Sequence, residues 1–172
     1  THIGNFGESG FESFPFVTLC ATTMGNVEYL GTNVGIKTLT RTEEGLVIED
    51  LLFTNEKINF IFAEREYIWA GVAGKGLFKI HKDELEPKSV LMSNEQGPQY
   101  FYTGQLSGNS KNMFFGTNGG IYYADKKGTT LRHLSIKEPM GSYSGVSTKD
   151  VYGTVWFTME KGIVGVTRNG ET

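Results

Sequence analysis

The chain has 172 residues, the size of one domain, and its 38% hydrophobic residues and 23 glycines give the composition of a folded protein. The 16 basic and 19 acidic residues leave a net charge of −3, which argues against a nucleic-acid partner and against a polybasic membrane anchor. The apolar runs are too short to span a membrane, so no membrane insertion is expected. A single cysteine, Cys20, excludes an internal disulfide.

The first predicted element is a weak strand within residues 1–15, where Pro15 suits a strand end or a sheet edge. Because the chain begins with Thr1 rather than methionine, we expect either a processed product or a piece of a longer chain. From residue 16 onwards the sequence becomes repetitive.

A unit of two strands then recurs four times. It consists of an apolar strand, a small residue, a short polar loop with glycine, and a second strand that opens on Gly-Ile or Gly-Leu. The glycines that open the second strand are spaced by 41, 44 and 42 residues: Gly35, Gly76, Gly120 and Gly162. Strands repeated at this period without helices are typical of β-propeller blades. We therefore predict an all-β fold, a β-propeller made of four repeats of a four-stranded antiparallel blade.

The predicted blades cover about residues 16–53, 57–92, 100–136 and 143–172. The strands of each blade are expected to follow one another from the central channel to the rim. In blade one they cover 16–22, 27–31, 35–40 and 46–53, and in blade two 58–63, 67–71, 76–81 and 84–92. In blade three they cover 100–106, 112–116, 120–124 and 129–136, and in blade four 143–147, 155–158 and 162–167. Pro87 lacks the backbone N–H that a central strand needs, so the strand over 84–92 is expected at the rim edge.

Blade four lacks an outer strand in this prediction, and the N-terminal segment 1–15 offers a spare one. If residues about 8 to 15 complete blade four as a closing strand, the chain forms a closed four-bladed ring without an exposed sheet edge. The alternative is that the blades belong to a larger propeller, or that another chain completes them. The sequence leaves both arrangements open.

Small and large side chains stand together in each repeat. Gly31, Gly71 and Gly116 are expected to let a neighbouring blade approach closely, and Thr158 at the same place is expected to change the packing of blade four. The adjoining large residues are expected to fill the space between blades, with sugar stacking as the alternative role. They are Tyr29, Leu30, Ile68, Trp69, Phe114, Phe115, Trp156 and Phe157.

Two of the repeats, over 29–36 and 114–122, resemble the repeat of the two-component-regulator propellers, which follows an aromatic-apolar-Gly-Thr-x-x-Gly-Leu-x-x-Tyr pattern. The resemblance covers about residues 16–172. It implies sensor-type propeller blades of the kind that build the extracytoplasmic part of bacterial hybrid histidine kinases. Blade four, over 152–167, also resembles the streptogramin lyase propellers, which use histidine and glutamate beside a magnesium ion. The sequence has no matching histidine cluster, so this chemistry is not carried over.

Candidate chemical groups are few. The three histidines, His2, His81 and His133, fall in separate parts of the predicted fold, whereas a zinc site needs three or four converging ligands. Cys20 lies on the inner strand of blade one and is interpreted as a small buried hydrophobe. We predict no catalytic residue, no metal and no cofactor.

Loops at one end of the ring are the predicted binding site, because the loops between second and third strands share a face with those that lead into the next blade. The predicted binding residues are Asn33, Lys75, Asn94, Gln96, Gln99, Tyr100, Tyr102, Asn118 and Lys161, and the same face carries Thr32, Asn55, Glu56, Ala73, Glu95, Glu138, Met140 and Glu160. The alternative interpretation is that these loops are ordinary connections without a ligand.

Three functional hypotheses follow. The first is a non-enzymatic β-propeller module that binds a macromolecule or a glycan through the loop face, with a protein or an assembly neighbour as its partner. The second is a structural subunit of a large assembly such as a phage virion or tail. The third is a propeller lyase or hydrolase with its site at the channel mouth. An extracytoplasmic or virion location is favoured over the cytoplasm.

Overall fold

The computed structural model describes residues 2–4, 15–43, 45–92, 97–136 and 140–167, which form β-strands and no helix. The first sheet contains β1 (His2–Gly4), β2 (Thr18–Met24), β3 (Val27–Thr32), β4 (Gly35–Thr42) and β5 (Gly45–Leu52). The second contains β6 (Ile58–Glu64), β7 (Tyr67–Val72), β8 (Gly76–His81) and β9 (Pro87–Ser89). The third contains β10 (Leu91–Met92), β11 (Phe101–Leu106), β12 (Asn112–Thr117), β13 (Gly120–Asp125) and β14 (Thr130–His133). The fourth contains β15 (Ser144–Lys149), β16 (Val155–Met159) and β17 (Gly162–Val166).

We call these sheets blades one to four. In each of them, strands that follow one another along the chain pair antiparallel, starting from the inner strands β2, β6, β11 and β15. The inner strands pack beside one another in that same order. The prediction of an all-β fold built from repeated antiparallel sheets is therefore confirmed, and the predicted second and third strands agree with the observed ones to within two residues.

The rim differs from the prediction in two blades. The outer strand expected over 84–92 is divided: Pro87 begins β9, which pairs with β8, whereas β10 crosses to blade three and pairs parallel with β14. Blade four has three strands among the described residues, and residues 168–172 lie outside them.

The N-terminus adds a strand to blade one, because β1 pairs antiparallel with β5 at the rim. Residues 5–14 lie outside the described residues, so the closing strand predicted near residues 8 to 15 stays a prediction.

The repeated glycines do what their positions predict. Those that open the third strands, Gly35, Gly76, Gly120 and Gly162, have φ values of 120°, 93°, 102° and 156°, which side chains rarely adopt. Those in the second strands face the inner strand of the next blade at close range. A Cβ atom added to Gly31, Gly71 or Gly116 would lie 2.8 Å from Ile58, 2.7 Å from Phe101 and 2.6 Å from Ser144, respectively.

Three hydrophobic clusters fill the junctions between consecutive blades. The expected aromatic residues Tyr29, Trp69 and Phe114 are buried there, as predicted, whereas Trp156 in blade four is exposed. Close packing joins blade one to two, two to three and three to four, and no strand of blade four packs closely on a strand of blade one among the described residues. Among the described residues, close interblade packing therefore runs in series from blade one to blade four.

Candidate functional site

The described parts of the loops named in the sequence prediction lie at one end of each blade. Backbone hydrogen bonds join each loop between second and third strands to the segment that enters the inner strand of the same blade. The donors and acceptors are Asn33 N to Val17 O (3.0 Å), Ala73 N to Lys57 O (2.9 Å), Asn118 N to Tyr100 O (3.2 Å) and Lys161 N to Met140 O (3.2 Å). We call the surface formed by these loops and segments the loop face.

Two of the predicted binding residues have structural roles in this face. The Oδ1 atom of Asn33 accepts a hydrogen bond from Val17 N at 2.7 Å, and that of Asn118 accepts one from Tyr100 N at 3.2 Å. Together with the backbone bonds, these contacts clamp the loop to the inner strand. Asn33 and Asn118 therefore hold the loops of the loop face in place. The sequence pattern alone did not distinguish this structural role from ligand binding.

Other predicted residues are accessible. The Lys75 Nζ atom lies 2.6 Å from Glu56 Oε1, an exposed ion pair between the two kinds of loop, and Lys161 and Gln99 are also exposed. The carbonyl of Gln99 accepts a hydrogen bond from Gly74 N at 3.2 Å, which joins the loops of blades two and three. Asn94 and Gln96 lie outside the described residues.

Three tyrosines form the most distinctive group on the loop face, and we call Tyr100, Tyr102 and Tyr143 the tyrosine cluster. The rings of Tyr102 and Tyr143 are 5.1 Å apart and bridge blades three and four. Tyr100 and Tyr143 are exposed. Burial raises the pKa of the Tyr102 phenol, and the neighbouring phenols of Tyr143 and Tyr100 raise it further. The cluster therefore presents aromatic surface across the junction of blades three and four, and the Tyr102 hydroxyl stays protonated at neutral pH.

Each inner strand has a β-bulge near its start, and the bulge of blade three bears on the direction of the Tyr102 side chain. The pairing register shifts between Thr18 and Cys20, Ile58 and Phe60, Phe101 and Thr103, and Ser144 and Ser147. A bulge redirects the side chain of its extra residue, and Tyr102 occupies that place in blade three. The sequence prediction did not include Tyr143 among the binding residues. Tyr143 occupies the same position in blade four as Tyr100 in blade three, and this equivalence could have identified it.

A cleft of about 360 Å³ lies on the rim side of the same region, between blades three and four. Its lining is mainly apolar, with one imidazole, and consists of Gly119, Gly120, His133, Leu134, Ile136, Met140, Gly141, Ser142 and Met159. The segment 140–143 connects this cleft to the tyrosine cluster. The two features therefore belong to one part of the loop face.

The candidate chemical groups are separated. His81 packs against Tyr67 with ring centroids 5.3 Å apart, and His133 packs against Tyr122 at 4.9 Å. Cys20 lies between blades one and two, where burial raises the pKa of its thiol to about 12. Within the described ranges, no three side chains of the His, Cys, Asp or Glu type converge as a metal site would require. The same residues contain no helix able to cross a membrane.

Comparison with solved structures identifies the class as a β-propeller. The chain is similar to the computationally designed Ika4 protein, with a TM-score of 0.65 and 11% identity over 91% of this chain and 94% of that one. It is also similar to the extracellular domain of the putative hybrid two-component system BT3049 from B. thetaiotaomicron, with a TM-score of 0.64 and 15% identity over 86% of this chain and 21% of that one.

A third similar structure is the WD40 β-propeller domain of Doa1, with a TM-score of 0.64 and 10% identity over 86% of this chain and 49% of that one. The chain thus spans about a fifth of the bacterial extracellular domain and about half of the WD40 domain. No protein-family model matches the sequence, and the curated proteins include no significant match. The resemblance to sensor-type propellers that the repeats indicated is confirmed at the level of the fold.

Proposed function

We propose that this chain is a non-enzymatic interaction module that binds a protein or a glycan through the loop face of blades three and four. The tyrosine cluster carries the proposal. Tyrosine offers a large amphipathic surface with few rotatable bonds, and it is enriched among the residues that dominate binding energy at interfaces. Tyrosine rings also stack on sugars, and for this reason the proposal includes a glycan as a ligand.

The scaffold supports this assignment of the tyrosines. Tyr102 lies within β11, and Tyr100 lies directly before it and is hydrogen-bonded to Asn118, so little conformational entropy is lost on binding. The apolar cleft beside Met140 and Met159 offers a place for an apolar group of the same ligand. We further propose an extracytoplasmic location, which is supported by the description of the BT3049 domain as extracellular. The alternatives of a virion subunit and of a propeller lyase gain no support from the similar structures.

The test compares ligand capture by three immobilised forms of the chain. The wild type, the Tyr100→Ser/Tyr143→Ser variant and the Tyr152→Ser variant are exposed to proteins from the source cells and to a panel of soluble oligosaccharides. Tyr152 is a suitable control because it is 85% exposed and lies in the turn after β15, at the opposite end of blade four from Tyr143. Capture that is lost in the double variant and kept in the control is expected. Equal capture by all three forms would contradict the role of the tyrosine cluster.

A further inference from the structure

The outward face of blade four carries the residues that each preceding blade buries against its successor. Trp156 lies three residues before the end of its second strand, as do Tyr29, Trp69 and Phe114. Those three residues are 9%, 0% and 2% exposed, whereas Trp156 is 41% exposed. A side chain that is buried in three repeats and open in the fourth indicates an interface that lacks its partner.

The third strand repeats the same contrast. Its second residue is Ile36, Leu77 or Ile121 in the first three blades, with exposures of 0%, 3% and 0%, and Ile163 in blade four, with 66%. Along β16 burial alternates, so that Val155, Phe157 and Met159 face blade three while Trp156 and Thr158 face outwards. Val146 and Thr148 on β15 extend this exposed surface. We call the surface of Val146, Thr148, Trp156, Thr158 and Ile163 the open face of blade four.

The open face is ordered before any partner arrives. The indole Nε1 atom of Trp156 donates a hydrogen bond to Asp150 Oδ2 at 2.9 Å, and Thr158 Oγ1 accepts one from Val146 N at 3.1 Å. The ring is therefore held in one orientation, and a partner does not have to supply an acceptor for the indole N–H.

Blade one has the complementary opening at the other end of the series. Thr18, Ala21 and Thr23 on β2 are exposed, whereas the equivalent residues of β6 are buried against blade one: Ile58, Ile61 and Ala63. The first two of these positions also pack against the preceding blade in blade three, as Phe101 and Gly104, and in blade four, as Ser144 and Ser147. Blade one and blade four thus each present one half of the junction that already occurs three times within the chain.

We propose that two copies of this chain associate head to tail, with the open face of blade four in each copy packed on Thr18, Ala21 and Thr23 of the other. Both junctions form at once under a two-fold axis, so the assembly closes as one eight-bladed ring. Two copies together approach the length of the WD40 domain of Doa1, of which one copy spans 49%.

Thr158 stands where the other three blades have glycine, and Thr18 is the residue that meets it in a second copy. Within the chain a Cβ atom added to Gly31, Gly71 or Gly116 would lie 2.8 Å from Ile58, 2.7 Å from Phe101 and 2.6 Å from Ser144. Because Thr158 has a Cβ atom, the junction between copies is expected to be wider than the junctions within the chain. The inference does not rest on the proposed function, because it uses a different surface.

The mass of the full chain in solution tests the proposal by light scattering after size-exclusion chromatography. The wild type is expected at about twice the chain mass of 19.0 kDa. Trp156→Lys and Ala21→Arg are each expected to be monomeric, since each damages both junctions of a homodimer. Val151→Lys is the matched control, because Val151 is exposed and apolar but lies in the turn after β15. It is expected to remain a dimer.

Mixing the two monomeric variants gives the sharpest result. Trp156→Lys keeps an intact blade one and Ala21→Arg an intact blade four, so a mixture is expected to form a heterodimer through one sound junction. A dimer of Ala21→Arg alone would show that blade four pairs with itself, and a monomeric wild type would show that two copies do not associate; either result overturns the proposal. Ile163→Lys replaces Trp156→Lys if circular dichroism shows that the latter does not fold.

Discussion

At the scale of single residues, Asp150 links the two most informative features of blade four, its turn and its exposed indole. Its carboxylate accepts hydrogen bonds from Trp156 Nε1 at 2.9 Å, Tyr152 N at 2.9 Å and Thr154 N at 3.0 Å. The hydrogen bond from Trp156 is the largest cause that lowers the pKa of Asp150, and the backbone donors add to it. Because hydrogen bonds to the charged form favour that form, the contact persists until the pH falls below the ordinary aspartate range.

This predicts a pH-dependent signal from Trp156. A carboxyl group whose pKa is lowered in the folded state stabilises the fold above its unfolded-state pKa, and that contribution is lost as the pH falls through the folded-state pKa. The emission of Trp156 is therefore expected to change with a midpoint below the ordinary aspartate value of 3.8. The chain has only one other tryptophan, Trp69, which is fully buried and serves as a constant background.

The measurement is a fluorescence titration with circular dichroism recorded in parallel to exclude unfolding. Asp150→Asn is the matched variant, since its amide oxygen can still accept from the indole while its side chain does not titrate. Its emission is expected to stay constant over the same range. A midpoint at or above 3.8 in the wild type would contradict the assignment of the hydrogen bond as the cause.

At the scale of elements, β8 is tied to blade three by a buried cation that the sequence pattern did not reveal. Lys79 is 5% exposed, and its Nζ atom donates hydrogen bonds to Lys126 O at 2.6 Å and Gly128 O at 3.5 Å. The same atom lies 4.2 Å from the ring centre of Tyr67 and 5.1 Å from that of Trp69. Burial lowers the pKa of Lys79, with Asp125 acting against this effect and Lys126 reinforcing it.

Replacing this lysine is expected to loosen the junction of blades two and three. Lys79→Met keeps an apolar stem but removes both hydrogen bonds and the cation–π contacts, so the free energy of unfolding should fall by about 1–3 kcal/mol. Lys88→Met is the control, because its exposed Nζ atom lies 3.9 Å from Glu84 and such a pair contributes about 0–1 kcal/mol. Urea unfolding of both variants measures the difference, and equal midpoints would contradict the role of Lys79.

The same scale shows why some elements could be predicted and others could not. The strands that begin at Gly35, Gly76, Gly120 and Gly162 could be predicted from local sequence, because glycine readily adopts the positive φ that the preceding turn requires. The division of the outer strand at Pro87 depends on β14, which lies some forty residues further along the chain, so no local pattern contains it. The site shows the same division. Tyr100 and Tyr102 were found in an aromatic loop, but the clamp made by Asn118 is a tertiary contact between loop and strand.

At the scale of the whole molecule, the blades differ in how many neighbours cover them. Blades two and three are packed on both faces, so every residue from Ile68 to Val72 is buried, whereas β16 is buried on alternate residues only. Blade four also has three strands where blade two has four among the described residues. Local opening costs less free energy where fewer apolar contacts are broken, so stability is expected to fall from the middle of the series towards blade four.

Hydrogen–deuterium exchange measures this gradient directly. Backbone amides of β16 and β17 are expected to exchange at least about ten times faster than those of β7 and β8, which corresponds to about 1.4 kcal/mol of local opening free energy. The Ala21→Arg variant is the form to measure, since a monomer leaves the open face of blade four uncovered. Its substitution lies on β2 in blade one, outside both pairs of strands. If β16 and β17 of that monomer exchange as slowly as β7 and β8, the prediction is wrong. Strands packed on one face would then resist exchange as well as strands packed on both faces.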